Sequence, residues 1–234
     1  MLQEMGWRDL RKMKQDNFIL GIDVDFLKDQ EVFDDWYHKM PEYRKNKIDR
    51  FKPQQSKRLS LGAGILLYKG LEMLGASDAV IFDDDFQKPH VQGATDLEFT
   101  LSHSGNLAVC AFSDASVGID VQETERFSGN LMNFVYKDEE IKYIKYRSKN
   151  QVDTDLLCTK MWTMKESVMK YYGKGLSMDP RRIFIDLEQG NSVYYEGEAL
   201  ENIFFTGYEL SGYYITVCSG YDNFSDEINF VMGD

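Results

Sequence analysis

Two stretches, NFILGIDVDF at 17–26 and SVGIDVQ at 116–122, read as β-strands and carry the same tripeptide, Gly-Ile-Asp. Each opens a run of strand, helix and further strands. Each run closes on a β-rich stretch holding a cysteine, NLAVCAF in the first and YYITVCS in the second. A chain of 234 residues that repeats this order is expected to build two similar α+β halves. The boundaries are an N-terminal extension at 1–16, a first half at 17–115 and a second half at 116–234.

The helices come from apolar spacing. SKRLSLGAGILLYKGLEMLG (56–75) is a helix that stops at Gly75, and its Gly62, Ala63 and Gly64 would let another backbone approach closely. LLCTKMWTMKESVMKYYGKGL (156–176) is the strongest helix of the chain. Residues 29–50 and 128–150 are polar but helix-compatible, with Pro41 opening a second helix in the first stretch. Residues 76–98 read as a polar connection. LEFTLSH and NLAVCAFS form a hairpin around Ser104-Gly105-Asn106, and five short strands follow residue 180.

Side chains alternate along a strand, so Ile119 and Val121 share one face and Asp120 and Gln122 the other. Two oxygen donors so placed suit a hard cation such as Mg²⁺, and they equally suit the polar face of a half-buried strand. On the 156–176 helix, Leu157, Met161, Met164, Val168 and Tyr171 make one apolar stripe. Glu166 lies about 200° from Met164 at ~100° per residue, on a second face with Trp162 and Lys170. That face is either solvated, with Glu166 and Lys170 an ordinary pair, or lines a cleft that accommodates the tryptophan.

The formal charge of −12 argues against a general nucleic-acid binder. It leaves room for an anionic ligand on a local patch. Residues 41–60 hold seven basic side chains, among them Lys45, Lys47 and Arg58, against Glu42 and Asp49. Cys110, Cys158 and Cys218 are far apart and lack metal-ligand spacing, so they read as core thiols of a reduced, cytoplasmic protein. The opening residues do not read as a secretory signal, and no apolar run approaches the ~20 residues of a membrane span. Ser102 and His103 are neighbours on a strand and point to opposite faces, which argues against a nucleophile–base pair. No GxSxG elbow and no Walker A sequence occurs.

The order LSHSG, VGIDVQ, WTMKESVMKYYGKGL closely resembles the surfactin-type phosphopantetheinyl transferases. Their signature is a Gly-Ile-Asp strand followed by a Trp-x-x-Lys-Glu-Ser/Ala-x-x-Lys helix. FTLSHSG is similar to their Phe-Asn-Ile-Ser-His-Ser-Gly segment, and Gln87-Lys88-Pro89 to their Gly-Lys-Pro. The resemblance spans about residues 17 to 220. It implies a pseudo-dimer of two α+β halves, each with a small mainly antiparallel sheet and a packed long helix, with the active site in the cleft between them. It implies transfer of the phosphopantetheine arm of coenzyme A to a serine of an apo acyl or peptidyl carrier protein, with Mg²⁺. A family-like chain that binds coenzyme A or a carrier without transfer is the alternative.

By the same resemblance, Asp120 and Glu166 match the metal-binding acids, and Lys170 the lysine on the pyrophosphate. Glu166 would also take the serine proton. Ser102 and His103 match residues at the adenosine 3′-phosphate, and Lys88 a basic residue near the phosphates. Arg58 and one of Lys45 or Lys47 fall where further phosphate contacts lie, and Lys165 sits beside the metal glutamate as a coenzyme contact. Gln122 stands where many relatives have glutamate, which predicts weaker Mg²⁺ binding. Residues 136–150 offer a local basic dock for an acidic carrier. A monomer is expected, since a pseudo-dimer builds its cleft within one chain.

Overall fold

The structure is a computed structural model that describes residues 17–93 and 97–231. The expected extension at 1–16 lies outside those residues. Two compact units form. One runs to Asp114 and takes in the segment from Asn223 onward; the other is Ala115–Asp222. The return of the chain end to the first unit departs from a second half drawn as 116–234. Its cause is the short strand Asn229–Phe230, which pairs in parallel with the chain's first strand.

The first unit contains β1 (Phe18–Asp23), α1 (Gln30–Lys39), α2 (Glu42–Asp49) and α3 (Gln54–Met73). The hairpins β2 (Ile81–Asp83) with β3 (Pro89–Val91) and β4 (Glu98–Ser104) with β5 (Leu107–Ser113) follow. β5 pairs antiparallel with both β1 and β4, and is buried along its whole length. That central place explains its unbroken apolar run, LAVCAFS, which leaves no polar side for solvent. Leu61, Ile65 and Leu66 of α3 pack in one core with Leu20, Ile22 and Phe112.

The small residues of α3 receive side chains, where another backbone was expected. A Cβ on Gly62 would stand 2.4 Å from Val24 Cγ1, and one on Gly64 would stand 2.8 Å from Arg44 Nε. Arg44 is thereby withdrawn from the basic segment. It is buried, its Nη2 donates to Ser60 O, and burial lowers its guanidinium pKa.

The stretch expected to be a plain connection holds β2 and β3. Its turn puts Gln87 at φ 65°, the left-handed region that favours glycine. The Gly-Lys-Pro that Gln87-Lys88-Pro89 resembles has glycine at that place. Gln87→Gly is expected to raise stability by about 0.5–1 kcal/mol, read as a higher urea midpoint at unchanged slope. A lower midpoint would mean that the Gln87 side chain contributes more than its backbone costs.

The second unit contains β6 (Val117–Glu123), α4 (Gly129–Val135), α5 (Asp138–Arg147) and α6 (Gln151–Tyr171). Then come β7 (Ile183–Asp186), β8 (Ser192–Tyr195), β9 (Glu198–Ala199), β10 (Phe204–Leu210) and β11 (Tyr213–Ser219). β11 lies between β10 and β6, antiparallel to both, and β7–β9 make a second small antiparallel sheet. α6 starts ahead of the expected residue 156 because Asn150 caps it, accepting from Asp153 N at 2.9 Å.

The helix is covered well beyond its apolar stripe. Thr159, Thr163 and Ser167 are buried, and each hydroxyl bonds a carbonyl of its own helix, of Asp155, Lys160 and Met164. Self-satisfied hydroxyls let polar letters go inside. Each unit is mixed α+β. Each places a Gly-Ile-Asp strand first, a long helix next, and last a hairpin whose second strand pairs with the first. The three cysteines are free and buried, and burial pushes the Cys158 thiol up to about 12. No helix among the described residues is long and apolar enough to cross a membrane.

Candidate active site

Gly118 lets α6 lie on β6. A Cβ there would fall 1.9 Å from Ser167 O and 2.5 Å from Tyr171 N, both backbone atoms of α6. Gly118, Asp120 and Gln122 share a face by strand alternation. The face expected to be polar is thus the one the helix covers, and Asp120 is only 2 % exposed.

A buried carboxylate needs partners. Lys170 Nζ donates to Asp120 Oδ1 at 2.7 Å and to Ile119 O at 3.0 Å, and Gln122 Nε2 donates to Asp120 Oδ2 at 3.2 Å. One helical turn before Lys170, Glu166 has its carboxyl pushed up to about 7. Burial is the main cause and the negative charge of Asp120 the second, with Lys170 pulling the other way. Trp162 continues this face, half-buried against two apolar clusters. Asp120, Gln122, Glu166 and Lys170 are therefore assembled within one unit.

The carboxylates of Asp120 and Glu166 and the amide oxygen of Gln122 are hard donors. That suits Mg²⁺, which takes one or two carboxylates and completes its shell from substrate oxygens and water. Among the described residues no group of three or more His, Cys, Asp or Glu forms a closed metal cage.

In the first unit, Ser102 is buried and its neighbour His103 exposed. The turn that follows them is tied to α3: Gln55 Nε2 donates to Gly105 O and to Asn106 Oδ1, both at 2.7 Å. Gln55 Oε1 accepts from Arg58 Nη2 at 2.9 Å, so Arg58 is brought beside the Ser102–Gly105 segment. Lys47 and Lys88 instead face carboxylates, Asp83 at 2.7 Å and Glu98 at 3.3 Å. Lys45 stands over the ring of Tyr37, 5.8 Å from its centre.

The family model of the 4′-phosphopantetheinyl transferase superfamily matches residues 116–218, the segment that carries the acids, Trp162 and Lys170. The chain is 27 % identical over 218 residues to 4′-phosphopantetheinyl transferase Sfp of Bacillus subtilis (strain 168), covering 91 % of this chain and 96 % of that one. It is 26 % identical over 219 residues to 4′-phosphopantetheinyl transferase ffp of Bacillus subtilis, with the same coverage. Over 137 residues, 58 % of this chain and 56 % of the other, it is 28 % identical to 4′-phosphopantetheinyl transferase gsp of Aneurinibacillus migulanus. Over most of its length the chain is similar to surfactin-type phosphopantetheinyl transferases.

One residue of the transferase motif works differently from the expectation. Lys165, taken as a coenzyme contact, is fully buried. Its ammonium pairs with Glu140 at 2.7 Å and donates to the carbonyls of Val135, Pro180 and Ile183 at 3.2, 2.9 and 2.7 Å. Glu140 accepts in addition from Lys137 N and Ile185 N. The ammonium is spent on these partners and does not face solvent. Lys165 fastens α6 to α4, α5 and β7, because a buried ion pair persists only with its remaining hydrogen-bond capacity filled. Glu140 was missed by sequence reasoning, which read residues 136–150 only as a basic dock. Gln55 was missed as well, since a glutamine in the first turn of a helix carries no signal of its reach.

Proposed function

We propose that this transferase moves the 4′-phosphopantetheine arm of coenzyme A to a serine of an acyl or peptidyl carrier protein and releases 3′,5′-ADP. The serine oxygen bonds the β-phosphorus, the pyrophosphate P–O bond breaks, and the electron pair leaves with the nucleotide. The observation that carries this reading is the pairing of buried Asp120 with Lys170 beside a Glu166 carboxyl at about 7.

Glu166 is the carboxylate placed to accept the serine proton. Lys170 stabilises negative charge on the phosphates during transfer. Asp120 and Glu166, with the amide of Gln122, would hold Mg²⁺, whose charge would neutralise the pyrophosphate. Presenting an oxygen to the ion requires the Gln122 amide to turn its nitrogen away from Asp120. That adds to the reason for expecting weak Mg²⁺ affinity. Ser102, His103, Arg58 and Lys88 serve the coenzyme phosphates, Lys88 after exchanging Glu98 for phosphate; Lys45 and Lys47 are lesser contacts. The shared element order of the two units supports a pseudo-dimer acting as a monomer, and the three free cysteines suit a reducing, cytoplasmic setting.

Incubation with an apo-carrier, coenzyme A and Mg²⁺ tests the proposal. The carrier should gain the phosphopantetheine mass, and Glu166→Ala should abolish the gain. Coenzyme binding without a mass gain on any carrier would favour the non-transferring alternative.

The carrier dock is assigned to α5. Lys142, Lys145 and Arg147 are exposed on it, while Glu140 is turned inward and no longer offsets them. Lys142→Glu with Lys145→Glu is expected to raise KM for the carrier at least about tenfold and to leave coenzyme affinity unchanged. An unaltered carrier KM would refute the dock.

A further inference from the structure

Most basic side chains of the first unit that the structure pairs are matched to acids: Lys47 to Asp83, Lys88 to Glu98. Arg58 is held otherwise. Its Nη2 donates to a neutral amide oxygen, Gln55 Oε1, and its Nε is buried with no hydrogen-bond partner among the described residues. A buried guanidinium N–H without an acceptor is costly, and such groups in native proteins call for an explanation.

The amide orientation is decided by its neighbours. Gly105 O only accepts, so the Gln55 group facing it at 2.7 Å is the nitrogen. The oxygen then faces Arg58. Gln55 thus spans the turn after Ser102-His103-Ser104 and the guanidinium four residues into α3, and fixes each against the other. Because the amide is neutral, it orients the guanidinium without cancelling its charge. A carboxylate at this position would orient it and also consume the charge that an anion needs.

We propose that Gln55 is a positioning residue: it holds Arg58 against the Gly105–Asn106 turn so that the guanidinium meets a phosphate of coenzyme A. This rests on the coenzyme-dependent transfer proposed above.

The test is a double-mutant cycle on the affinity of the full chain for coenzyme A alone, measured by titration calorimetry. Arg58→Leu is expected to raise Kd about thirtyfold and Gln55→Leu about tenfold, the range for a charge-assisted hydrogen bond. The double variant should bind no more weakly than Arg58→Leu, because Gln55 acts only through Arg58. Gln55→Glu should also weaken binding, since it pairs with Arg58 and loses both donations to the turn. Additive single effects, or wild-type affinity in Gln55→Glu, would overturn the proposal. If Arg58→Leu binds as tightly as the parent, the positioning role fails and the transfer reading stands. If the parent chain itself does not bind coenzyme A, the reading beneath the proposal fails with it.

Discussion

Gly118→Ala is expected to cost about 4 kcal/mol or more and to leave the second unit unassembled. The added methyl would lie 1.9 Å from Ser167 O and 2.5 Å from Tyr171 N. These are backbone atoms of a 21-residue helix, so no rotamer change relieves the contact. α6 would have to move off β6 as a body, taking Lys170 from Asp120 and opening the packing along both. Losses of this size are exceptional and arise from few mechanisms, of which backbone overpacking in a core is one. Gly129→Ala is the control. Nothing lies within 4 Å of that position at the start of α4, and alanine there should be neutral or stabilise by about 0.5 kcal/mol. Urea unfolding of the two variants beside the parent decides the matter. A Gly118→Ala chain within about 1 kcal/mol of the parent would show that α6 does not touch β6 at the backbone.

Glu166→Gln is expected to lose transfer by at least a hundredfold and yet to make the cation-free protein more stable at pH 8. The carboxyl of Glu166 is raised from the usual 4.5 to about 7, first by burial and then by Asp120. Between those values the unfolded chain has already lost the proton that the folded chain keeps. Stability from this group is therefore present below pH 4.5 and is lost as pH rises to about 7. A neutral amide does not titrate, so the variant gains on the parent across that window. The gain should reach on the order of 2 kcal/mol above it. Urea midpoints at pH 4.5 and pH 8 in a chelator read the effect: close together at the lower pH, with the variant ahead at the higher. Equal midpoints at pH 8 would mean that Glu166 is solvated and that Asp120 does not act on it.

The elements missed by sequence reasoning are the short ones. β2, β3 and β9 have two or three residues each, too few for alternation to show. Pairing with a neighbour makes them strands, and pairing is not local. Longer elements were legible because burial repeats along them, as in β5 and α3. The basic segment at 41–60 was legible only as a sum of charges. Packing divides it into buried Arg44, carboxylate-bound Lys47 and amide-held Arg58.

Periodicity alone put Asp120 with Gln122 and Glu166 with Lys170, and the order of those motifs pointed to the family. The two pairings follow from backbone geometry, which any stretch of strand or helix shares; the family follows from resemblance alone. What covers each face was decided by tertiary structure. Lys165 and Lys170 are five residues apart on one helix, about 140° around it. The first is sealed against Glu140 and three carbonyls; the second, a quarter exposed, holds Asp120. Desolvation and the close approach at Gly118 separate their roles, and neither is a property of the residues taken one at a time.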